Sequence, residues 1–171
     1  GTYYTTSFDL SNRYQGELLK IEKLDLGKTY TALYYDKSVS SFYVKRFSFD
    51  ISDNTAVSFI SDAKGSYLVA ISDDKHPQFE IIFGGKHEHR EMEIVDAEEF
   101  IAKKGIQAKG KRVSSMDVKE VRFGEPIHKP EDDVDPVESV AENQAGEIDN
   151  SDVEDPIDIS LDDDDLQLSL F

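Results

Sequence analysis

Five cations crowd ten residues of this chain: Lys103, Lys104, Lys109, Lys111 and Arg112, set around Gly105 and Gly110. Ammonium and guanidinium groups at this density suit phosphate oxygens, because binding a polyanion releases its condensed counterions. Glycines let a backbone come close to such a ligand. The stretch holds no array of side chains for reading base edges, so a preference among duplexes would come from shape and bending. A second basic pair, Lys45-Arg46, stands at the matching place in an earlier copy of the same phrase. Lys45-Arg46-Phe47-Ser48-Phe49-Asp50-Ile51 returns as Lys111-Arg112-Val113-Ser114-Ser115-Met116-Asp117-Val118, with one residue inserted.

Other groups offer less. His87-Glu88-His89 would place two imidazoles on one side of a strand, but a metal site needs a third ligand and a supporting shell, and neither is evident. The segment reads as a polar arm beyond Gly84-Gly85. Asp73-Asp74 and Glu98-Glu99 are adjacent carboxylates without a companion nucleophile or base, and read as solvated turn residues. No residue is assigned a catalytic role and no cofactor or metal site is assigned.

Composition narrows the setting. The 171 residues include no Cys, which excludes disulfides, thiolate metal sites and a Cys nucleophile. No apolar run approaches the ~20 residues needed to span a bilayer, no signal peptide opens the chain, and a cytoplasmic, nucleoid-associated location is expected. Gly1 in place of an initiator Met suggests a segment of a longer protein. The formal charge of −17 is unevenly placed: all 19 Lys and Arg lie at or before Lys129, whereas 16 acidic residues and no base follow from Glu131. Residues 103–129 carry eight bases against three acids. The basic surface is therefore local, which matters more for nucleic-acid contact than the total.

The elements that must position these residues read as short strands. Thr2–Phe8, Leu18–Lys23, Thr29–Tyr35, Ser41–Phe49, Ala56–Ile60 and Tyr67–Ser72 are rich in β-branched and aromatic residues between turn signals. In Gln78–Phe83 the residues Phe79, Ile81 and Phe83 share one face, the period of a half-buried strand. Gly84-Gly85 suggests a tight hairpin into Glu91–Val95. Asp96 with Glu98-Glu99 could cap a helix, but Phe100–Lys104 echoes Phe42–Arg46 and is expected to be extended. Ser7-Phe8-Asp9-Leu10-Ser11-Asn12 resembles Ser48-Phe49-Asp50-Ile51-Ser52-Asp53, so the phrase recurs at positions 9, 50 and 117. About four strands per repeat is the arithmetic of a propeller blade. An all-β fold is expected over residues 1–125, with about two four-stranded antiparallel blades. Residues 126–171, punctuated by prolines and without an aromatic until Phe171, are expected to form a disordered acidic tail.

Phe42-Tyr43-Val44-Lys45-Arg46-Phe47, Ile82-Phe83-Gly84-Gly85-Lys86 and Phe100–Arg112 resemble, in order, the C-terminal domain of the bacterial topoisomerase IV / DNA gyrase A subunit. The resemblance implies a β-pinwheel, a propeller variant whose blades exchange strands and whose basic rim binds and bends duplex DNA for the strand-passage core. It implies a parent that works with an ATPase B subunit and uses Mg²⁺ and ATP in parts absent from this sequence. The basic Gly-rich heptapeptide of gyrase is present only as the degenerate Ile106–Arg112, which favours a topoisomerase IV-like role. A second resemblance lies at the end: Gln167-Leu168-Ser169-Leu170-Phe171 matches Gln-Leu-(Ser or Asp)-Leu-Phe, a pattern by which bacterial proteins bind the replicative sliding clamp. An extended peptide would offer Leu168, Leu170 and Phe171 to an apolar groove, which makes protein interaction the alternative function. The acidic tail has a further reading as a tethered competitor of DNA.

Overall fold

The run Tyr30–Asp36 and the run Ser41–Phe47 each carry apolar or aromatic residues at successive positions, and both are buried almost throughout. A strand with two apolar faces needs a layer on each side, and the rest of the chain supplies them. The computed structural model describes residues 1–7, 9, 11–14, 17–129 and 166–170. The strands are β1 (Thr2–Ser7), β2 (Lys20–Lys23), β3 (Tyr30–Asp36), β4 (Ser41–Phe47), β5 (Val57–Ser58), β6 (Tyr67–Ser72), β7 (Gln78–Phe83), β8 (Glu93–Asp96), β9 (Lys111–Arg112), β10 (Val118–Phe123) and β11 (Leu166–Leu170). One helical turn, α1 (Ala97–Phe100), follows β8.

The strands form three antiparallel sheets, in the orders β2-β11-β1-β5, β6-β3-β4-β9 and β10-β7-β8. The fold is all-β, as its alternation predicts, with three sheets of four, four and three strands where about two four-stranded units were expected. Strands β3 and β4 pair along their whole length, Tyr30 opposite Phe47 and Asp36 opposite Ser41. Their alternate side chains enter two different cores. Leu33, Phe42 and Val44 pack with Phe79, Ile81, Phe83 and Val121 of the three-stranded sheet. Tyr30, Ala32 and Phe47 pack with Tyr3, Phe49, Phe59, Leu168 and Leu170 on the other side. The second core is dominated by rings: Phe47 and Phe49 meet edge-on at 5.0 Å, and Tyr3 lies 4.5 Å from Phe49.

Two local expectations change. Gly84-Gly85 does not make a tight hairpin, because the Gly84 N–H bonds to the Asp117 carbonyl at 2.9 Å and so continues toward β10. Gly85, at φ +54°, opens a single 3-10 turn, and the chain reaches β8 only at Glu93. At Asp96 the carboxylate caps one helical turn, accepting from the Glu98 N–H at 2.7 Å. The chain becomes extended at Ile101, one residue after the expected start at Phe100.

The largest departure is at the end of the sequence. Leu166–Leu170, expected to finish a free tail, is a strand in the first sheet, hydrogen-bonded between β2 and β1. Residues 1–128 and this terminal strand belong to one compact unit. The expected disorder of the acidic stretch 130–165, and the side chains of Phe8, Leu10, Gln167 and Phe171, lie outside the described residues. No described helix is long and apolar enough to cross a membrane.

Candidate nucleic-acid interface

The basic stretch hangs from the edge of the middle sheet. Its two ends and its centre are apolar: Ile101 and Val113 enter the first core and Ile106 the second. Between these three anchors the chain runs antiparallel to β4. The Lys104 N–H donates to the Arg46 carbonyl at 2.9 Å, and the Val113 N–H to the Phe42 carbonyl at 2.9 Å. Lys111 and Arg112 form β9, opposite Val44 and Tyr43. The Tyr34 hydroxyl, pushed up in pKa by burial and the nearby Asp36 charge, donates to the Lys109 carbonyl at 2.5 Å. Gly110 sits at φ +90°, where a Cβ would lie 2.4 Å from the Val44 carbonyl oxygen. That glycine serves close packing on β4 rather than approach to a ligand. Gly105, by contrast, has open space around it.

Pinned this way, Lys103, Lys104, Lys109, Lys111 and Arg112 all face solvent. Two of them are steered by aromatic rings and fixed acceptors. The Lys109 ammonium lies 2.8 Å from the Asp36 carboxylate and 4.8 Å from the centre of the Tyr43 ring. The Lys111 ammonium lies 3.8 Å from the centre of the Phe100 ring and donates to the Phe100 carbonyl at 3.1 Å. Lys103, Lys104 and Arg112 make no ion pair with a described residue. Asp36 is the hidden support. It is 1% exposed, and burial alone would raise its pKa. Hydrogen bonds from Lys109, from the Ser38 side chain and backbone, and from Ser61 outweigh that and hold it down at about 2. The carboxylate therefore stays charged and keeps Lys109 in place while leaving the side chain half exposed.

The earlier basic pair has a different fate. Successive residues of a strand point to opposite faces, and both faces of β4 are covered, so neither Lys45 nor Arg46 presents a free surface. Lys45 enters the second core, is 4% exposed, and donates to the carbonyls of Phe59 at 2.7 Å and Ile106 at 2.5 Å. Burial pushes its ammonium down to about 8. This corrects the expectation that Lys45 contacts DNA: its amine is spent holding the loop after β5 and the basic loop to the middle sheet. Arg46 turns to the other side and pairs with Glu98 at 2.8 Å, and the same carboxylate lies 2.6 Å from the His76 imidazole. The Arg46 Nε is buried without a hydrogen-bond partner among the described residues, so this guanidinium too is largely enclosed. A cavity of about 300 Å³ lies beside Lys45, Asp36 and Lys109, but a buried carboxylate on its wall makes it a poor anion site.

The remaining sequence candidates are structural where they are described. His87 Nδ1 accepts from the Asp117 N–H at 3.2 Å. Asp73 binds Lys20 at 2.7 Å and also Lys28, which together outweigh its burial and hold it at about 2. Glu98 supports Arg46. Of the terminal peptide, Leu168, Ser169 and Leu170 are fully buried.

A family model described as "Topoisomerase C-terminal domain, Bacteroidota" matches residues 1–125. No curated protein and no solved structure matches the chain.

Proposed function

Because the chain belongs to the Bacteroidota topoisomerase C-terminal domain family, we propose that it is the non-catalytic domain that binds and bends duplex DNA for a type II topoisomerase of the topoisomerase IV kind. In this reading it extends an A subunit and presents DNA to the strand-passage core, which the ATPase B subunit drives with Mg²⁺ and ATP. The three sheets correspond to blades of a pinwheel, and the domain itself carries no catalytic group. The observation that supports this best is the loop from Lys103 to Arg112. Its backbone is fixed at three apolar anchors while its five cations face water. Fixed cations lose little freedom on meeting phosphates, and each phosphate neutralised adds to the salt dependence of binding.

In this reading the acidic stretch is a tethered competitor of DNA. Sixteen carboxylates lie between Lys129 and Leu166, and the chain up to His128 and from Leu166 onward belongs to the unit that carries the loop. Tethered anions compete with DNA for cations at high local concentration. The test is duplex binding followed by fluorescence anisotropy across a salt series. The full chain is compared with a variant whose acidic residues from Glu131 to Asp158 are changed to the corresponding amides. Truncation before Leu166 is unsuitable, because it removes a core strand. Steep salt dependence, with tighter binding by the amide variant, supports both the loop and the competition. Absence of binding by both at low salt would remove the DNA reading.

A second reading is favoured by one observation, the terminal peptide. Gln167–Phe171 carries the clamp-binding pattern, and Ser169 sits in the sheet at 0% exposure with its hydroxyl unpaired among the described residues. A strand held with a polar group unsatisfied is held at a cost. In this reading the peptide engages the sliding clamp, and DNA contact is secondary.

A further inference from the structure

The first sheet has an unusual dependence on its last strand. β11 pairs with β1 over five positions, from Tyr3 opposite Leu170 to Ser7 opposite Leu166, and with β2 over four, from Gln167 opposite Lys23 to Leu170 opposite Lys20. β1 and β2 do not pair with each other, and among the described strands β1 otherwise pairs at two positions with β5, with Thr5 bonded to Ser52 and Asn54 on that side. The slot between β1 and β2 is thus the width of one strand, and β2 has no other strand neighbour among the described residues. Leu168 and Leu170 fill its floor at 0% and 1% exposure, against Tyr3, Phe49 and Phe59.

A groove that reads the terminal peptide through its leucines needs the same two side chains that the slot hides. We infer that the slot and a partner's apolar groove compete for Leu166–Leu170, so that capture of the peptide by the sliding clamp and completion of the first sheet exclude one another. This rests on the second reading above. The docked strand is the storage form of the peptide, and its release opens β2 and one edge of β1. The apparent affinity of the full chain for the clamp is then the peptide's own affinity reduced by the fraction of chains with the strand released.

Position 169 separates the two binding sites chemically. The clamp pattern accepts Ser or Asp there. The slot does not, because the Ser169 side chain is fully buried and its hydroxyl already lacks a partner among the described residues. A carboxylate at that place would be buried between Tyr4 and Ile21, neither of which supplies a counter-charge. Ser169→Asp should therefore expel the strand while leaving the peptide competent.

The experiment measures binding to a purified bacterial sliding clamp by calorimetry, using a synthetic peptide of residues 166–171, the full chain and the full-chain S169D variant. The free peptide should bind at least ~10-fold more tightly than the full chain, and S169D should recover most of that difference. Amide hydrogen exchange on the wild-type chain accompanies it. The Thr5 N–H is held by Ser52 on the far side, so the backbones of Tyr4 and Thr6 in β1 and of Glu22 in β2 are the ones that face β11. Saturating clamp should deprotect Tyr4, Thr6 and Glu22, while Leu33 and Val44 of the middle sheet stay protected, which distinguishes strand release from unfolding. If the free peptide does not bind the clamp, the second reading fails and the competition falls with it. If the peptide binds but the full chain binds equally well, with Tyr4, Thr6 and Glu22 still protected, the competition alone is wrong.

Discussion

The two Lys-Arg pairs of the repeated phrase lie on neighbouring strands of one sheet, and they do opposite things. Lys45-Arg46 is on β4, which has strands on both sides and a core against each face. Lys111-Arg112 is on β9, the edge strand beside it. The inner pair is folded inward, one residue into each flank, and its charges are satisfied by carbonyls and by Glu98. The outer pair meets water. A repeated basic phrase thus carries two roles, an internal staple and an external contact. Distance from the sheet edge decides which, because only the edge leaves a face uncovered.

Charge reversal is the strongest way to break this comparison. Lys109→Glu, Lys111→Glu and Arg112→Glu together should reduce the salt slope of duplex binding by ~3, one for each phosphate no longer neutralised. Lys45→Met should leave that slope unchanged. An equal fall in slope in both would mean that the inner pair reaches DNA after all.

The glycines give the next largest effect. Gly110→Ala forces a side chain into a left-handed position against the Val44 carbonyl, and should lower stability by at least ~2 kcal/mol in urea unfolding. Gly105→Ala, in open space, should change it by less than ~0.5 kcal/mol. Equal effects would show that the loop is not seated on β4 as described.

Lys45→Met should cost about 1–3 kcal/mol, because two buried carbonyls lose their donor. Its pH signature is more specific. The folded state holds the Lys45 ammonium at about 8, below its ordinary 10.5, so the unfolded chain binds more protons between those values. Stability should rise with pH across that window in the wild type, and this rise should be missing from the variant. Asp36 acts at the other end. With its folded pKa held at about 2 against an ordinary 3.8, its contribution is complete above pH 3.8 and disappears as pH falls toward 2. Asp36→Asn should remove that part of the acid transition, and should loosen Lys109 without abolishing DNA binding.

The smallest effect concerns the terminal strand. Ser169→Ala removes a buried hydroxyl that is unpaired among the described residues, and should stabilise the unit by about 1 kcal/mol. No change would mean that the hydroxyl finds a partner in solution.

The strands are legible in the sequence because their apolar residues follow a period of two, as in Phe79, Ile81 and Phe83. The basic loop is legible because charge density and glycines are local features. What escapes is non-local. Lys45 reads as a surface cation until the Phe59 and Ile106 carbonyls, 14 and 61 residues away, come to it. Asp36 gives no hint that Lys109 will sit above it, and Gly110 looks like ligand-facing flexibility until Val44 is placed beneath it. One signal for the terminal strand is present: Leu166, Leu168 and Leu170 alternate with polar residues, which is the pattern of a half-buried strand. Its position after a long acidic stretch, and its match to a short binding pattern, point instead to a free peptide.

The pairing of Tyr3 with Leu170 also sets an order of events during synthesis. The middle and three-stranded sheets draw only on residues up to Phe123 and can form as the chain emerges. The first sheet cannot close until residue 170 has left the ribosome, so β1 waits for a strand made long after it, beyond both other sheets. Throughout that interval an apolar edge stands open beside the growing chain, a state prone to pairing with the wrong strand. The long run of carboxylates that must be translated first keeps the nascent chain strongly anionic, and like charges on neighbouring nascent chains hold those open edges apart.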